Sequence, residues 1–219
     1  MVIWKNVEFR NKGIIVDKTP TISKAQKRIE QYVVPYRNGF LSVDTNTYDS
    51  FVVQVECHAK EDADFDEIKA FLDGYGTLSF DGEREYTAII KNAIEFSKAH
   101  HFKRFPVQFE VNPIAYAITP SAFSGTGTLT INDATAEMFP TITIVASGDV
   151  SITINNNTFY LDDADGTYIL DCQNKIITKN GVNAANIMRG DFPTLKVGTN
   201  TISSTGTATI TTEYKKAYL

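Results

Sequence analysis

The stretch SFVVQVECHAKEDADFDEIKAFLDGYGTLSF, residues 50–80, decides the fold of the first half of the chain. Its opening part alternates apolar and mostly polar residues, and the apolar set is Phe51, Val53, Val55 and Cys57. A period of two places successive side chains on opposite faces of a strand. The pattern therefore predicts a β-strand with one buried face.

The middle of the same stretch predicts a helix. Asp64 stands at the N-cap position with Glu67 three residues later, which is close to a capping box. Apolar residues follow at helical spacing, namely Phe65, Ile68, Phe71 and Leu72. Gly74 supplies a stop. The acidic residues around the start of the helix face the favourable end of its dipole, so we interpret them as capping charges rather than a metal site.

The rest of the first half predicts more sheet. The strand that begins at Phe102 carries Phe105, Val107, Phe109 and Val111 on one face, and we expect Pro113 to end it. Earlier, the segment 35–39 (PYRNG) separates two β-rich runs, and its Asn-Gly pair tolerates the positive φ of a tight turn. The sequence thus predicts an α+β first domain, residues 1–118, with one helix and a hairpin.

The composition changes near Pro120, where PSAFSGTGT is typical of a linker or domain edge. Beyond it, short β-rich runs are separated by turn residues. The predicted breaks are 147–149, 155–157, 165–166 and 180–181. No helical pattern occurs here, so residues 119–219 predict an all-β sandwich and the whole chain is predicted to be mainly β.

Charge and composition exclude several classes of protein. The chain has 219 residues, a net charge of −5 and a sequence pI of about 5.2. No basic cluster favours stable binding to nucleic acid. No apolar run has the ~20 residues that a membrane helix needs, and the start lacks the pattern of a signal peptide. We therefore expect no membrane partner and synthesis in a cytoplasm. Cys57 and Cys172 are interpreted as buried thiols.

Candidate reactive groups are few. The histidines are His58, His100 and His101, and adjacent residues of a strand point to opposite faces, so we expect no metal site. The segment 161–172 resembles a calcium loop but has Leu and Cys at its two end ligand positions. No nucleophile motif has the context that it needs. We predict no enzyme activity and no cofactor. Arg189-Gly190-Asp191, an adhesion tripeptide elsewhere, is interpreted as an incidental turn before Pro193.

Taken in order along the chain, five stretches resemble the distal tail protein of siphophages, long-tailed non-contractile phages, and of related prophages in Gram-positive bacteria. They are YVVPYRNGFLSVD (32–44), FDEIKAFLDGYGTLSFDGEREYTAII (65–90), FKRFPVQFEVNPIAY (102–116), GTYILDCQNKIITKNG (166–181) and GDFPTLKVGTNTI (190–202). One departure concerns the hairpin, where we expect Gly between Pro35 and Arg37 but find Tyr36. A backbone that needs positive φ would resist Tyr.

The resemblance implies a virion protein and a fold. The first domain would be tail-tube-like and form a homohexameric ring, and the second would be a galectin-like β-sandwich that projects outward. The hub would join the major tail tube protein to the tail-tip protein (tail-associated lysin), with DNA passing through the lumen. In some relatives the outer domain or the arm also holds a receptor-binding protein.

The early hairpin would act as an arm that reaches the neighbouring subunit. Its predicted interface residues are Tyr32, Val33, Val34, Tyr36, Phe40 and Leu41. Two other functions stay open at this point. A β-sandwich could serve as a carbohydrate-binding module for adsorption to the host wall, with Tyr160, Tyr168, Tyr214 and Tyr218 available for stacking. The chain could also assist a cell-wall hydrolase.

Overall fold

The computed structural model describes residues 1–94 and 103–219. The chain divides into two compact units. Unit 1 comprises Met1–Ala115 together with Leu219, and unit 2 comprises Tyr116–Tyr218. Strands dominate both units, so the prediction of a mainly β protein with one α-helix is confirmed for the described residues.

Unit 1 contains a seven-strand path, a separate hairpin and helix α1 (Phe65–Phe71). Its strands are β1 (Ile3–Trp4), β2 (Val7–Glu8), β3 (Ile14–Val16), β4 (Lys27–Tyr32), β5 (Leu41–Tyr48), β6 (Phe51–Ala59), β7 (Tyr75–Ser79), β8 (Arg84–Ile90) and β9 (Lys103–Ala117), the last of which ends in unit 2. The strands of the main sheet follow the order β2-β1-β7-β8-β9-β6-β3.

The two edges of the main sheet lie close together along the chain, although no pairing joins them in the described residues. The edge strands β2 and β3 are separated only by a 3-10 helix, Phe9–Lys12, and by Gly13. Gly13 has a φ of 72° and its N–H caps that helix, which turns the chain from one edge to the other. The edges are only two and three residues long. Strand β3 pairs only with residues 57–59 of β6, so residues 51–55 of β6 have no strand paired on that side among the described residues.

Alternation in β6 and β9 builds the core of unit 1. The predicted faces are buried in both strands, and β6 pairs antiparallel with β9 from Phe51↔Val111 to Ala59↔Lys103. Trp4 lies fully buried against them, with its ring 5.1 Å from that of Phe109, and its Nε1–H donates to the carbonyl of Phe71 at 3.1 Å. The hydrogen bond therefore joins helix α1 to the core in which the indole of Trp4 is buried.

Helix α1 begins as predicted, since the carboxylate of Asp64 accepts from the backbone N–H of Asp66 at 2.9 Å. Ile68 is its fully buried contact with the core. The prediction that Pro113 ends its strand is wrong, because β9 continues to Ala117. The ladder with β6 already stops at Val111, so the missing N–H of Pro113 interrupts no hydrogen bond of that pair.

Unit 2 is built on three long strands rather than on many short ones. Its strands are β10 (Ser121–Ser124), β11 (Gly127–Ile131), β12 (Thr141–Ile154), β13 (Asn157–Asp171), β14 (Ile176–Lys179), β15 (Val182–Asn183), β16 (Met188–Gly190), β17 (Gly198–Tyr214) and β18 (Ala217–Tyr218). A 3-10 helix spans Ala185–Ile187. Strands β12, β13 and β17 pair along most of their length in one curled sheet of order β10-β17-β12-β13-β14-β15.

The predicted breaks at 147–149 and 165–166 are wrong, since strands run through both. These positions are bends. Gly148, Gly166 and Gly206 all have positive φ, and the register of β12 shifts between Gly148 and Val150. Bulges and glycines let a strand turn a corner without ending. The predicted turns at 155–157 and 180–181 are present, with Asn155 and Asn180 both at positive φ.

Candidate subunit interface

The hairpin β4–β5, called the arm here with its tip at residues 33–40, pairs only with itself among the described residues. Its register runs from Lys27↔Tyr48 to Tyr32↔Leu41, with a shift between Lys27 and Ile29. The extra residues of β5 form a bulge in which Asn46 has a φ of 56° and its N–H donates to Asp44 at 2.8 Å. The arm is thus longer than the segment 32–41 that the sequence indicated.

Ion pairs hold the base of the arm. Lys27 pairs with Asp44 across the two strands, and Arg28 pairs with Asp49 where β5 leads into β6. The hydrogen bond from Lys27 holds the pKa of Asp44 below its usual value. The backbone N–H of Asp49 also donates to the carbonyl of Gln26 at 2.8 Å, which closes the base.

The tip of the arm turns at Pro35-Tyr36 rather than at the Asn-Gly pair at 38–39. The N–H of Arg37 donates to the carbonyl of Val34 at 3.2 Å, with Pro35 and Tyr36 between them. Tyr36 has a φ of 64°, so the turn follows the type II pattern, which normally places Gly at that position. Tyr36 therefore adopts the conformation that we expected it to resist, at a cost of about 1–2 kcal/mol. Gly39 supplies a second positive φ.

The arm exposes apolar side chains on both faces. Tyr32 lies opposite Leu41 and shares one face with Val43, while Ile29 lies on the other face. In this single chain all four are exposed. Soluble chains bury such side chains or cover them with a partner. The arm therefore has the character of a surface made for a second protein.

Most of the predicted interface residues are exposed in the arm. Tyr32, Val33, Tyr36, Phe40 and Leu41 have more than two fifths of their surface accessible, and Val34 is half-buried. Their role in an interface stays a prediction. Sequence reasoning missed Ile29 and Val43. Following the alternation of apolar residues beyond 32–41 in both directions would have identified both residues.

Metal and membrane signals can be assessed only in the described part of the chain. There, no cluster of three or more His, Cys, Asp and Glu is arranged to hold a metal ion, and no helix has the length and apolarity needed to span a bilayer. His58 pairs with Asp17. His100 and His101 lie outside the described residues. Burial raises the pKa of Cys57 and of Cys172 to about 12.

The Arg-Gly-Asp tripeptide is held within unit 2. Both Arg189 Nε and Nη2 donate to the carboxylate of Asp162 at 2.6 Å, and the guanidinium lies 5.3 Å from the ring centroid of Tyr160. Gly190 faces Phe159 in β13. The arginine is thus already paired, and the glycine belongs to a ladder, which agrees with the interpretation of an incidental motif.

The tyrosines considered for sugar stacking are poorly placed for it. Tyr168 and Tyr214 are buried. Tyr160 is exposed, but Arg189 covers one of its faces. Tyr218 is half-buried. Stacking on a pyranose needs an open aromatic face, so these positions do not favour the carbohydrate-binding alternative.

Comparison with known proteins gives a family match for part of the chain and a fold for all of it. Residues 133–218 match the family described as siphovirus-type tail component, C-terminal domain. Over 100% of this chain and 98% of the other, the structure resembles that of the Dit protein (gp 19.1) of phage SPP1, with a TM-score of 0.77 and 12% identity. That protein is described as a paradigm of the hub of the adsorption apparatus in phages that infect Gram-positive bacteria.

No curated protein sequence matches the chain significantly. The family match covers most of unit 2, and the likeness of fold extends over both units. Residues 133–218 thus match a structural component of siphovirus-type tails, and both units share the fold of a siphophage distal tail protein.

Proposed function

We propose that the chain is the hexameric hub at the distal end of a phage tail. A ring of unit 1 continues the tail tube, binding the major tail tube protein on one face and the tail-tip protein on the other. DNA passes through its lumen. A receptor-binding protein is a further partner, held by unit 2 or by the arm. The chain is made in the host bacterial cytoplasm and acts in the virion at the tail tip.

The exposed arm is the single observation that carries this proposal. A two-stranded hairpin is marginally stable in water unless something covers it. Here both faces expose apolar side chains, and neither strand pairs with the main sheet in the described residues. A neighbouring subunit that covers the arm would bury this surface. Contacts of this kind join two different patches, as a closed ring requires.

The lengths of the edge strands of the main sheet support the same role for the arm. Strand addition between proteins needs a free edge of reasonable length. The edges of the main sheet are two and three residues long, whereas β4 and β5 have six and eight residues. Within the described part of unit 1, the arm therefore offers the longest backbone for pairing with a second copy.

The net charge of −5 suits a protein that surrounds passing DNA, because like charges prevent retention. A positively charged lumen would instead retain the nucleic acid. The overall balance is consistent with a conduit.

The test is self-association of arm variants. Replacing Tyr32, Leu41 and Val43 with Ser removes one apolar face, whose members are 42–51% exposed. Multi-angle light scattering of the wild-type chain should give about six times the 24.3 kDa subunit mass, and the triple variant should give lower masses at equal concentration.

A matched control keeps this test specific. Val145, Ile169 and Ile176 of unit 2 are 46–48% exposed, so their replacement by Ser removes a similar apolar surface outside the arm. We expect this control to form rings like the wild type. A wild-type chain that stays monomeric at high concentration, or an arm variant that assembles as well as the control, would contradict the proposal.

We also infer that the chain itself hydrolyses no cell wall, because its family match and its fold are those of structural tail components. Zymography of the purified protein on host cell walls checks this point. A zone of clearing would overturn it.

A further inference from the structure

An open cleft lies at the base of the arm, between the arm and the main sheet of unit 1. Its volume is about 240 Å³. Tyr48, Tyr75 and Ile89 contribute apolar surface, and Lys91 and Glu110 contribute charge. Tyr75 is exposed on this surface. The cleft thus combines aromatic walls with a polar end, which is the usual character of a site for one aromatic side chain.

Glu110 is the polar anchor of the cleft. Its carboxylate accepts from Lys91 and, at 2.8 Å, from Ser50. The hydrogen bond from Lys91 keeps the pKa of Glu110 below its usual value, so the group is ionised at neutral pH. A carboxylate has about four acceptor positions. Lys91 and Ser50 occupy two of these positions, so the carboxylate of Glu110 can still accept from an incoming hydroxyl or guanidinium.

The arm tip carries the complementary groups. Tyr36 is fully exposed in the single chain and is held at a strained positive φ. Arg37 follows it directly and brings a positive charge. Strained residues persist where the surrounding structure or a partner compensates for them. Among the described residues of the single chain nothing covers the side chain of Tyr36, so a partner is the remaining source of compensation.

The length of the arm indicates which partner its tip can contact. From Lys27 to Tyr36 the arm spans at most about 30 Å at 3.3 Å per residue. A compact unit of the size of unit 1 has a radius of gyration of about 13 Å and hence a diameter of roughly 35 Å. In a ring, equivalent points on neighbouring copies are separated by about one such diameter. An arm that starts beside its own cleft therefore ends near the cleft of the next copy.

We propose that Tyr36 of one copy inserts into the cleft of the adjacent copy between Tyr48, Tyr75 and Ile89, with Arg37 directed toward Glu110. The occupant is thus a second copy of this chain. Repeated around the ring, each tip docks at the base of the next arm, and the arms form a closed head-to-tail belt. This inference rests on the ring of the proposed function and specifies its contact.

Disulfide trapping tests the contact in the full-length protein. The double variant Tyr36→Cys/Tyr75→Cys should give a ladder of covalent oligomers under mild oxidation, since the two positions meet between copies. The control Tyr36→Cys/Lys69→Cys places the second thiol on the exposed side of α1, where side-chain exposure is 56%, and should give no ladder. The native Cys57 and Cys172 are buried and should not interfere.

The outcomes separate this inference from the proposed function. Rings seen by light scattering without a Tyr36/Tyr75 ladder overturn the tip-to-cleft contact but leave the ring intact. A wild-type chain that forms no ring overturns both. A ladder from the Lys69 control equal to that of the Tyr75 pair also overturns the contact, because it would reflect non-specific collision.

A second measurement avoids cysteine altogether. Tyr36→Gly keeps the positive φ at no strain and so preserves the turn, but removes the inserted ring. We expect self-association to weaken by about thirtyfold, the effect of losing an interface hot spot. Tyr36→Phe keeps the ring and should lose much less. Equal self-association of Tyr36→Gly and wild type would overturn the proposal.

Discussion

Replacing Gly190 with Ala should destabilise unit 2 strongly. Gly190 has a φ of 105°, a conformation that L-residues rarely adopt. A Cβ at this position would lie 2.7 Å from the carbonyl oxygen of Thr158 and 3.0 Å from the Cα of Phe159. Both atoms belong to the backbone of β13, so no flexible side chain can move aside. Strand β16 would have to shift away from β13.

The expected magnitude follows from these two effects. Holding Ala at this φ costs about 1–3 kcal/mol. Moving β16 weakens ladder hydrogen bonds that contribute about 1 kcal/mol each. The free energy of unfolding should therefore fall by roughly 2–4 kcal/mol. For a unit of about 100 residues this lowers Tm by roughly 10–25 °C.

Gly181→Ala provides the matched control, because Gly181 also has a positive φ, 79°, but no atom within 4 Å of an added Cβ. Its cost should be about 1 kcal/mol. Scanning calorimetry gives the two Tm values, and hydrogen exchange of residues 157–171 reports β13 directly. Trp4, the single tryptophan, reports the core of unit 1. If Gly190→Ala melts within a degree or two of Gly181→Ala, the steric reasoning is refuted.

Three further predictions concern buried groups. Thr212 is fully buried, and its hydroxyl has no hydrogen-bond partner among the described residues. Thr212→Val should therefore raise the free energy of unfolding by about 1 kcal/mol, and a lower Tm would contradict this. Phe109→Ala should cost about 3–5 kcal/mol in unit 1, measured by denaturant titration of Trp4 fluorescence, and a loss below about 1 kcal/mol would be inconsistent with the packing. The pKa values of Cys57 and Cys172 are raised to about 12, so neither thiol should react with a thiol reagent at pH 8 in the native protein, whereas both should react in denaturant. Rapid labelling of either thiol in the native protein would show that it is not buried.

Local patterns were sufficient wherever one face of an element is buried. The alternation of β6 and β9 and the capping of α1 by Asp64 follow from periodicity and hydrogen bonding within a few residues. The Asn residues at 155 and 180 mark real turns for the same local reason. The glycines at 148 and 166 were misread as ends of strands. A glycine at a bend and a glycine at a turn have the same sequence signature, and only pairing with neighbouring strands distinguishes them.

The sequence by itself determined a mainly β chain with one helix, the buried faces of its strands and the presence of an apolar hairpin. Each of these depends on residues close together in the chain. Only the tertiary structure decided that the edge strands of the main sheet are short, that the arm pairs with itself alone among the described residues, and that Tyr36 adopts a positive φ. The first two features depend on which segments pair in the folded chain, and no local preference encodes that choice. The strain at Tyr36 in particular is opposed by its own local preference, so it had to be seen in the folded chain.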